Sequence, residues 1–248
     1  MIYGLYNSAA GMLTSEYRQG VIANNLANAE TTGFKPDYAV IAERVPAAQA
    51  GVRHGPSAAD LAGLSGGTWL GPTQTSFAPG TLEHTGQDTD VALDGSGFLT
   101  VEKDGKTYLT RDGRFIRDAQ GFVKSATDGA QVLDAGGGPL RVNPLGGKLQ
   151  IDSDGNVRQD GHMVGRLGLT DVQNDARLQK VAGSRFAFDP QQVQPATCQV
   201  EQGVVERSGV EPLKEMVNMI EASRTYQMNA HLVSLQDQSV GQLLTLMS

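Results

Sequence analysis

A chain of 248 residues, 39% of them hydrophobic, is long enough to bury a sizeable core in one large domain or in two ordinary ones. The net charge of −7 argues against a nucleic-acid-binding protein, which needs a basic surface. The 31 glycines follow no strict period, which excludes collagen, and the single cysteine, Cys198, excludes an internal disulfide and a Cys-based zinc cluster. No apolar run is long enough to span a bilayer, so we expect no direct membrane insertion.

The first predicted element is a helix over residues 2–30. Its apolar side chains recur three and four residues apart, at Ile2, Leu5, Ala9, Met12, Ala23 and Leu26. Two polar residues, Glu16 and Gln19, interrupt this stripe. The start of the chain lacks the features of a cleaved signal peptide, which fits a cytosolic protein or one exported without such a signal.

Three asparagines, Asn24, Asn25 and Asn28, crowd the end of this helix in the segment ANNLANAETTGFK, residues 23–35. Asn is a mediocre helix former because its amide competes with the backbone for hydrogen bonds. Two explanations are open at this point: the amides fix the register of a helical interface, or they simply face water. Gly33 is a plausible helix stop and Pro36 cannot continue a helix, so the chain is expected to turn there.

The middle of the chain has the pattern of short antiparallel strands. Asp-Gly pairs, which favour tight hairpin turns, occur at 94–95, 104–105, 112–113, 128–129, 154–155 and 160–161. Strand-like runs alternate with these pairs, from GFLTVEK at 97–103 to CQVEQGVVE at 198–206. By contrast, residues 46–80 are rich in Pro, Gly, Ala and Ser and are predicted to form an extended linker or a long loop.

A second helix is predicted between Ser208 and the C-terminus. Pro212 suits the first turn of a helix, and Ser208 is a possible cap. Two positions of five consecutive heptads are occupied by Met216 and Met219, Ser223 and Tyr226, Ala230 and Val233, Asp237 and Val240, and Leu244 and Met247. A 3.5-residue period of this length is typical of a coiled coil, so this helix needs a partner, and the N-terminal helix is the first candidate.

These elements predict a mixed α and β fold. Residues 1–33 and 208–248 would form a discontinuous, coiled-coil-like helical domain, residues 34–80 a linker, and residues 81–207 a central antiparallel β domain. A pair of helices buries little apolar surface and is marginally stable by itself. We therefore expect the helical domain to be poorly ordered in a monomer and to become firm when neighbouring copies complete its core.

Residue patterns for catalysis or cofactor binding are not evident. The sequence contains no phosphate-loop, dinucleotide-binding or nucleophile-elbow motif. The four histidines, His54, His84, His162 and His231, lack metal-ligand spacing. The acidic stretch 152–156 lacks the glycine and the glutamate of an EF-hand loop at their positions and is better interpreted as a hairpin turn. We expect a protein without catalytic residues, cofactor or metal, and therefore not an enzyme.

Three stretches of the chain resemble the bacterial flagellar axial proteins, which are the rod, hook and hook-junction subunits. ANNLANAETTGFK resembles their N-terminal signature, and VEP at 210–212 followed by MVNMIEASRTYQMNA at 216–230 resembles the C-terminal motif of the rod and hook proteins. Residues 79–122 resemble the start of the rod-protein β domain. Together these stretches cover about half of the chain in the right order, so the chain resembles a basal-body rod protein.

The resemblance implies a structural function. A rod subunit assembles head-to-tail into the helical drive shaft that crosses the periplasm, with its terminal helices inside the tube. The implied partners are other copies, other rod and hook subunits, and the flagellar type III export apparatus, which exports such subunits unfolded and without cleavage. The chain length and the start MIYGLYNSAAGM favour the proximal rod protein slightly, whereas MVNMIEASRTYQMNA favours the distal one.

We expect the assembly interface to use both helices and their amides. The expected interface residues are Leu5, Met12, Asn24, Asn25, Leu26, Asn28, Met216, Met219, Tyr226, Asn229, Val233, Val240 and Leu244, with Gly33 and Pro36 as a hinge or turn. Within the helical layer we expect burial of Leu26, Met219, Tyr226, Val233 and Val240.

Two other functions remain open at this point. One is a secreted or periplasmic β module that binds a ligand such as a glycan and oligomerises through the C-terminal helix; it needs a concave, aromatic-lined site, and the only tryptophan, Trp69, lies in the predicted linker. The other is a hydrolase, which needs an acidic pair brought together by folding.

Overall fold

The computed structural model describes residues 2–45, 67–182 and 184–246. Residues 46–66, which are most of the predicted long loop, lie outside the described residues, as does the side chain of Leu244. The chain divides into two compact units, each built from pieces far apart in sequence. Unit 1 contains Met1–Ala27, Asp37–Gln74 and Glu211–Ser248, and unit 2 contains Asn28–Pro36 and Thr75–Val210. The predicted fold class, mixed α and β with antiparallel strands, is confirmed.

Unit 1 consists of two long helices and a few short strands. Its elements are α1 (Ile2–Ala27), β1 (Asp37–Tyr38), β2 (Ile41–Glu43), β3 (Thr68–Leu70) and α2 (Pro212–Leu246). Strand β2 pairs antiparallel with β3, and both β1 and β3 lie against α1. A further short strand, β4 (Gln74–Thr75), lies where the chain passes into unit 2. The segment predicted as a linker over 34–80 thus contains strands, which are too short to give a detectable period.

The helix ends differ slightly from those predicted. Helix α1 ends at Ala27, before the cluster of turns that follows. Helix α2 begins at Pro212, where a missing N–H is tolerated, and the carbonyl of Glu211 accepts from the N–H of Glu215 at 3.0 Å. The predicted cap was wrong, because the Ser208 hydroxyl accepts from the N–H of Val210 at 3.3 Å instead of from the first turn of the helix. Among the described residues, neither helix is long and apolar enough to cross a membrane.

Unit 2 is built from short strands. They are β5 (Leu82–His84), β6 (Val91–Asp94), β7 (Phe98–Lys103), β8 (Lys106–Thr110), β9 (Phe115–Arg117), β10 (Val123–Ser125), β11 (Gln131–Val132), β12 (Leu149–Ile151), β13 (Asn156–Gln159), β14 (His162–Arg166), β15 (Leu169–Val172), β16 (Gln179–Val181), β17 (Arg185–Ala187), β18 (Val193–Pro195), β19 (Gln199–Gln202) and β20 (Val204–Glu206).

The main sheet of unit 2 has the strand order β16-β17-β8-β7-β11-β10-β9, with β15 also paired to β7 and β18 paired to β15. A smaller sheet has the order β12-β13-β14, and two further pairs are β6 with β19 and β5 with β20. The last two pairs matter most for function, because they bring the end of the β region back to its beginning.

Four of the six Asp-Gly pairs form hairpin turns, as predicted. The pairs at 104–105 and 160–161 close the β7–β8 and β13–β14 hairpins with positive φ at both residues, which is the geometry of a two-residue turn. The pairs at 128–129 and 154–155 connect β10 to β11 and β12 to β13. The pairs at 94–95 and 112–113 do not form hairpins, because β6 pairs with β19 and β8 does not pair with β9.

The core of unit 2 has two parts. The larger is formed by buried aliphatic side chains of the sheets, such as Val91, Leu99, Val101 and Val132. The smaller contains Phe98 and Phe186, whose ring centroids lie 5.9 Å apart, with Phe77 packed edge-on against Phe98 at 5.7 Å. Edge-to-face pairs of this kind add about 0.5–1.5 kcal/mol to the burial of their area.

Candidate assembly interface

The face of α1 that packs against α2 is built from small residues. A methyl group placed on Gly4 would lie 2.8 Å from Nε2 of Gln236, and one placed on Gly11 would lie 2.8 Å from Nδ2 of Asn229. Both pairs are one heptad apart, and the partner number falls as the α1 number rises, so the two helices run antiparallel. The absence of side chains at these glycines lets the helices approach closely, and α2 fills the space with amides.

Further buried residues continue this inner face along α1. They are Ser8, Ser15, Ile22 and Asn25, which together with Gly4 and Gly11 keep the three-and-four spacing of a heptad. The facing side of α2 contains buried Glu215 and Ala222 and half-buried Met219, Tyr226, Asn229 and Val233. The pairing of the two terminal helices is therefore observed, whereas supercoiling of the pair stays a prediction.

The apolar stripe predicted for α1 lies mostly on the outside of the single chain, and its burial against neighbouring copies stays a prediction. Leu5, Ala9 and Ala23 are exposed, and Met12 and Leu26 are half-buried. The physical reason is size: glycine and serine permit close backbone contact, so the helix turns its small face inward and leaves most of its apolar stripe outward.

The outward surfaces of the helix pair are strongly apolar. On α1 the exposed residues include Leu5, Tyr6 and Leu13, the last with 62% of its surface accessible. On α2 the exposed apolar residues are Leu213, Met216, Val217, Ile220, Met228, Leu232, Leu235 and Val240. Two triplets in that list, 213/217/220 and 228/232/235, have the spacing of neighbours on one helical face. We call these the outer faces of α1 and α2.

The three asparagines that crowd the end of α1 have different surroundings. The amide of Asn25 is 1% exposed and makes two hydrogen bonds to the backbone of Asp37: Nδ2 donates to its carbonyl at 2.8 Å, and Oδ1 accepts from its N–H at 3.0 Å. Asn28 accepts from the hydroxyl of Thr31 at 3.2 Å. Asn24 is exposed. Asn25 thus uses its amide within unit 1, to fix β1 against the end of the helix, instead of facing water.

The assembly role of the other predicted residues stays a prediction. In the single chain, Met219, Tyr226 and Val233 are half-buried and Val240 is exposed. Their burial in a shared helical layer depends on contacts with neighbouring copies of the chain.

Unit 2 contains a site that sequence reasoning missed. The stretch Thr32–Pro36 is buried in full, and the Lys35 ammonium donates to Glu206 Oε1 at 2.6 Å and to the carbonyl of Ala78 at 2.9 Å. The N–H of Gly80 donates to the same Glu206 oxygen at 2.7 Å. We call the three segments that meet here, residues 32–35, 76–80 and 206–209, the clasp. The sequence alone gives no signal that Lys35 pairs with Glu206, because the two residues are 171 positions apart.

Backbone bonds reinforce the clasp. Gly33 N–H donates to the Glu206 carbonyl at 2.8 Å, and Gly209 N–H donates to the Phe34 carbonyl at 3.0 Å. The Lys180 ammonium lies 3.6 Å from the centre of the Phe34 ring and donates to the Lys35 carbonyl at 2.5 Å. Segments from the two ends of the chain are therefore joined by main-chain and side-chain bonds.

The electrostatics of the clasp depend on burial. Lys35 is 1% exposed and Glu206 2%, and the Arg111 guanidinium lies 3.6 Å from Glu206 Oε2. Burial lowers the pKa of the Lys35 ammonium from its ordinary value, although the Glu206 carboxylate acts in the opposite direction. Two buried atoms, Glu206 Oε2 and Arg111 Nε, have no hydrogen-bond partner. A buried charge network of this kind stabilises little compared with an apolar core, but it is sensitive to the loss of one member.

A second buried carboxylate anchors the same segment. Asp112 is 2% exposed and accepts from the hydroxyls of Thr32 at 2.5 Å, Thr127 at 2.6 Å and Ser125 at 3.3 Å. Its Asp-Gly sequence suggested a hairpin turn, whereas the side chain is the centre of a hydrogen-bond network. Thr32 is the member that comes from the N-terminal signature.

Gly33 makes the predicted turn, with φ of 64°. A methyl group there would lie 2.3 Å from the carbonyl carbon of Arg111 and from the nitrogen of Asp112. Pro36 is also buried, and its carbonyl accepts from the N–H of Ser76 at 2.9 Å. The surrounding atoms fix this turn in one conformation, so a hinge movement at these residues would require the clasp to open.

Unit 2 also has a cleft of about 290 Å³ beside Arg111, with Phe77, Phe98, Asp171 and Asp175 in its lining. Burial, together with the charge of Asp171, raises the pKa of the Asp175 carboxyl. The two phenylalanine rings pack against each other and against Phe186. Among the residues that the structure describes, no group of three or more His, Cys, Asp or Glu side chains could hold a metal ion.

Comparison with protein families gives three matches along the chain. The model described as flagella basal body rod protein matches residues 5–35, which include α1 and the N-terminal part of the clasp. The model of the flagellar hook protein FlgE/F/G D1 domain matches residues 92–162. The model of the flagellar basal body rod FlgEFG protein C-terminal region matches residues 201–246, from β19 to the end of α2.

Individual relatives match over nearly the whole length. The flagellar basal-body rod protein FlgF of Caulobacter vibrioides is 33% identical over 234 residues, which cover 92% of this chain and 91% of that protein. FlgF of Mesorhizobium japonicum is 32% identical with the same coverage. The flagellar basal-body rod protein FlgG of Bacillus subtilis is 27% identical over 268 residues, covering 99% of each chain.

Proposed function

The chain belongs to the flagellar basal-body rod protein family, and we propose that it assembles by burying the outer faces of α1 and α2 against neighbouring subunits. As a family member it is a structural subunit of the basal body, which associates with other rod and hook subunits. Its relatives are structural proteins of the rod. The proposal concerns the residues through which the association is made.

The observation that carries the proposal is the set of large apolar side chains that α1 and α2 leave exposed in the single chain. Small and polar residues such as Gly11, Ser15 and Asn229 face the neighbouring helix, whereas large apolar residues such as Leu13 and Leu213 face outward. Burial of each such side chain contributes about 1.5–3 kcal/mol. Exposed large apolar side chains at the spacing of one helical face are typical of an interaction site.

The geometry of assembly follows from the same surface. The outer faces of α1 and α2 differ in sequence, so a contact between different faces of successive copies would be heterologous and would extend into a filament. The expected head-to-tail shaft is of this type. We propose the proximal part of the rod as its position, supported by the chain length and the start MIYGLYNSAAGM. Export through the flagellar apparatus without a cleaved signal belongs to the same proposal.

A charge on the outer face tests the proposal. Leu13→Asp is expected to abolish rescue of swimming in a strain that lacks this gene, because the carboxylate would be buried against a neighbour without a partner. The thermal transition of unit 2, followed by near-UV circular dichroism, should not change. Leu145→Asp is the control, since Leu145 is 95% exposed in unit 2. Full rescue by Leu13→Asp would contradict this interface.

The amide of Asn25 gives a second test. Asn25→Ala is expected to destabilise the attachment of β1 to α1 by about 1–3 kcal/mol, because the N–H and carbonyl of Asp37 lose their partners. Hydrogen exchange at the Asp37 amide should accelerate. The control is Asn24→Ala, which changes the exposed neighbouring asparagine and should leave this exchange rate unchanged. Replacing Asn25 and Asn28 together should impair assembly with unit 2 still folded. Unchanged exchange at Asp37 would show that the amide does not hold β1.

A further inference from the structure

The described chain passes between the two units at four places, and all of them adjoin the clasp. The crossings are at 27/28, 36/37, 74/75 and 210/211. The first two bound the segment that carries Thr32 and Lys35. The third is followed at once by Ser76, which donates to Pro36, and the fourth follows Gly209, which donates to Phe34. One small region of unit 2 thus holds every covalent connection to unit 1.

The Lys35 ammonium is the atom group that joins the three segments. It donates to Ala78 in the segment after the third crossing and to Glu206 in the segment before the fourth. Glu206 in turn accepts from Gly80, so the middle segment is bonded to both ionic partners. Lys35 and Glu206 each form side-chain hydrogen bonds to both of the other segments.

An ionic joint is a costly way to stabilise a fold. Two well-packed apolar side chains of similar volume are often as stabilising as a buried ion pair, or more so. What directional bonds add is specificity, because any shifted arrangement leaves a buried charge without its partner. Glu206 Oε2 and Arg111 Nε lack a hydrogen-bond partner although they are buried, which shows that the network is not optimised for stability alone.

We propose that Lys35, with Glu206, is a positioning pair that holds together the three segments of unit 2 from which the chain leaves for the helices. This inference rests on the proposed function, because it assigns to the pair the stiffness of the joint in an assembled, rotating shaft. In a rod, the four covalent connections that adjoin the clasp carry force between the two units. A loosened clasp would fold and assemble but would yield under load.

The test compares two neutralised ion pairs in the full-length chain. Lys35→Met with Glu206→Gln removes both charges of the clasp and keeps an acceptor for Gly80. The matched control is Arg185→Met with Asp128→Asn, which removes a second, nearly buried pair with the same 2.6 Å separation that lies outside the three clasp segments. Both variants are expressed in a strain that lacks this gene, and basal bodies are isolated to measure incorporation. Swimming speed is then recorded over a series of increasing medium viscosities.

The expected result separates positioning from stability. Both double variants should be incorporated and should lower Tm of the purified chain by similar amounts. The clasp variant should lose swimming speed progressively more than wild type as viscosity rises, whereas the control should follow the wild-type curve. Exchange of the Gly33 and Gly209 amides should accelerate in the clasp variant alone. Glu206→Gln by itself, which keeps the shape of the side chain, gives the same comparison if the double variant does not fold.

Two outcomes would overturn the inference. The first is a clasp variant that follows the wild-type viscosity curve while present in basal bodies. The second is a control variant with the same loss under load, which would make the effect one of general stability. Failure of the rod assignment would look different, because the wild-type chain would then neither rescue swimming nor appear in basal bodies.

Discussion

Removal of residues 1–27 is expected to leave unit 2 folded, whereas removal of residues 1–36 is expected to unfold it. The first deletion takes away α1, which belongs to unit 1. The second also takes away Thr32, Phe34 and Lys35 and leaves Glu206 as a buried charge without its shorter ion pair, with only the Arg111 guanidinium at 3.6 Å. Breaking a buried ion pair costs about 3–5 kcal/mol, and loss of a buried phenylalanine costs about 3–5 kcal/mol. Their sum is comparable with the whole stability of a domain, about 5–15 kcal/mol.

Urea unfolding, followed by far-UV circular dichroism and by dispersion of amide resonances, distinguishes the two fragments. The fragment 28–248 should show a cooperative transition and dispersed β-sheet resonances. The fragment 37–248 should lack both. If 37–248 kept the same transition midpoint as 28–248, the signature segment would be an accessory of the β unit and not part of its fold.

Gly33→Ala is expected to destabilise unit 2 by about 4–5 kcal/mol, a loss that point substitutions reach only through a specific steric or polar conflict. The left-handed backbone at φ 64° would account for about 1–2 kcal/mol of it. The remainder comes from the methyl group, which would overlap the backbone between Arg111 and Asp112 at 2.3 Å. Arg111 and Asp112 are buried between β8 and β9, so their backbone atoms cannot move aside cheaply and the clasp itself would have to open.

Gly129→Ala is the matched control for this substitution. Its φ of 71° is similar, it lies in the same unit, and a methyl group there would have no neighbour within 4 Å. Its cost should therefore be the conformational part alone, about 1–2 kcal/mol. Chemical denaturation of both variants gives the two values. Equal losses would mean that the turn at Gly33 relaxes without disturbing its neighbours.

The parts of the fold that could be predicted from the sequence are those set by local pattern. The period of α2, the short strands and the Asp-Gly hairpins depend on neighbouring residues, and so the fold class was correct. The inner face of α1 could not be predicted from the apolar period, because glycine and serine allow close packing where large apolar residues are absent. As a result, Leu5 and Leu13 are exposed in the single chain.

The clasp could not be predicted from the sequence for a different reason. Lys35 and Glu206 are 171 residues apart, and each looks like a solvated surface charge by itself. Only the pairing of β5 with β20 and the route of the signature segment bring them together. Asp112 shows the same limit, since its neighbour Gly113 suggests a turn and only the fold shows that its carboxylate is buried under Thr32.

The distance along the chain between Lys35 and Glu206 also has a consequence for how the molecule is made. Contacts between residues so far apart form late, because a long loop must close first. Until the last strand arrives, the lysine has no counter-ion, and burying it alone is unfavourable. A chain truncated before β20 therefore cannot close its β unit, so folding itself discriminates complete subunits from unfinished ones before any neighbour is met.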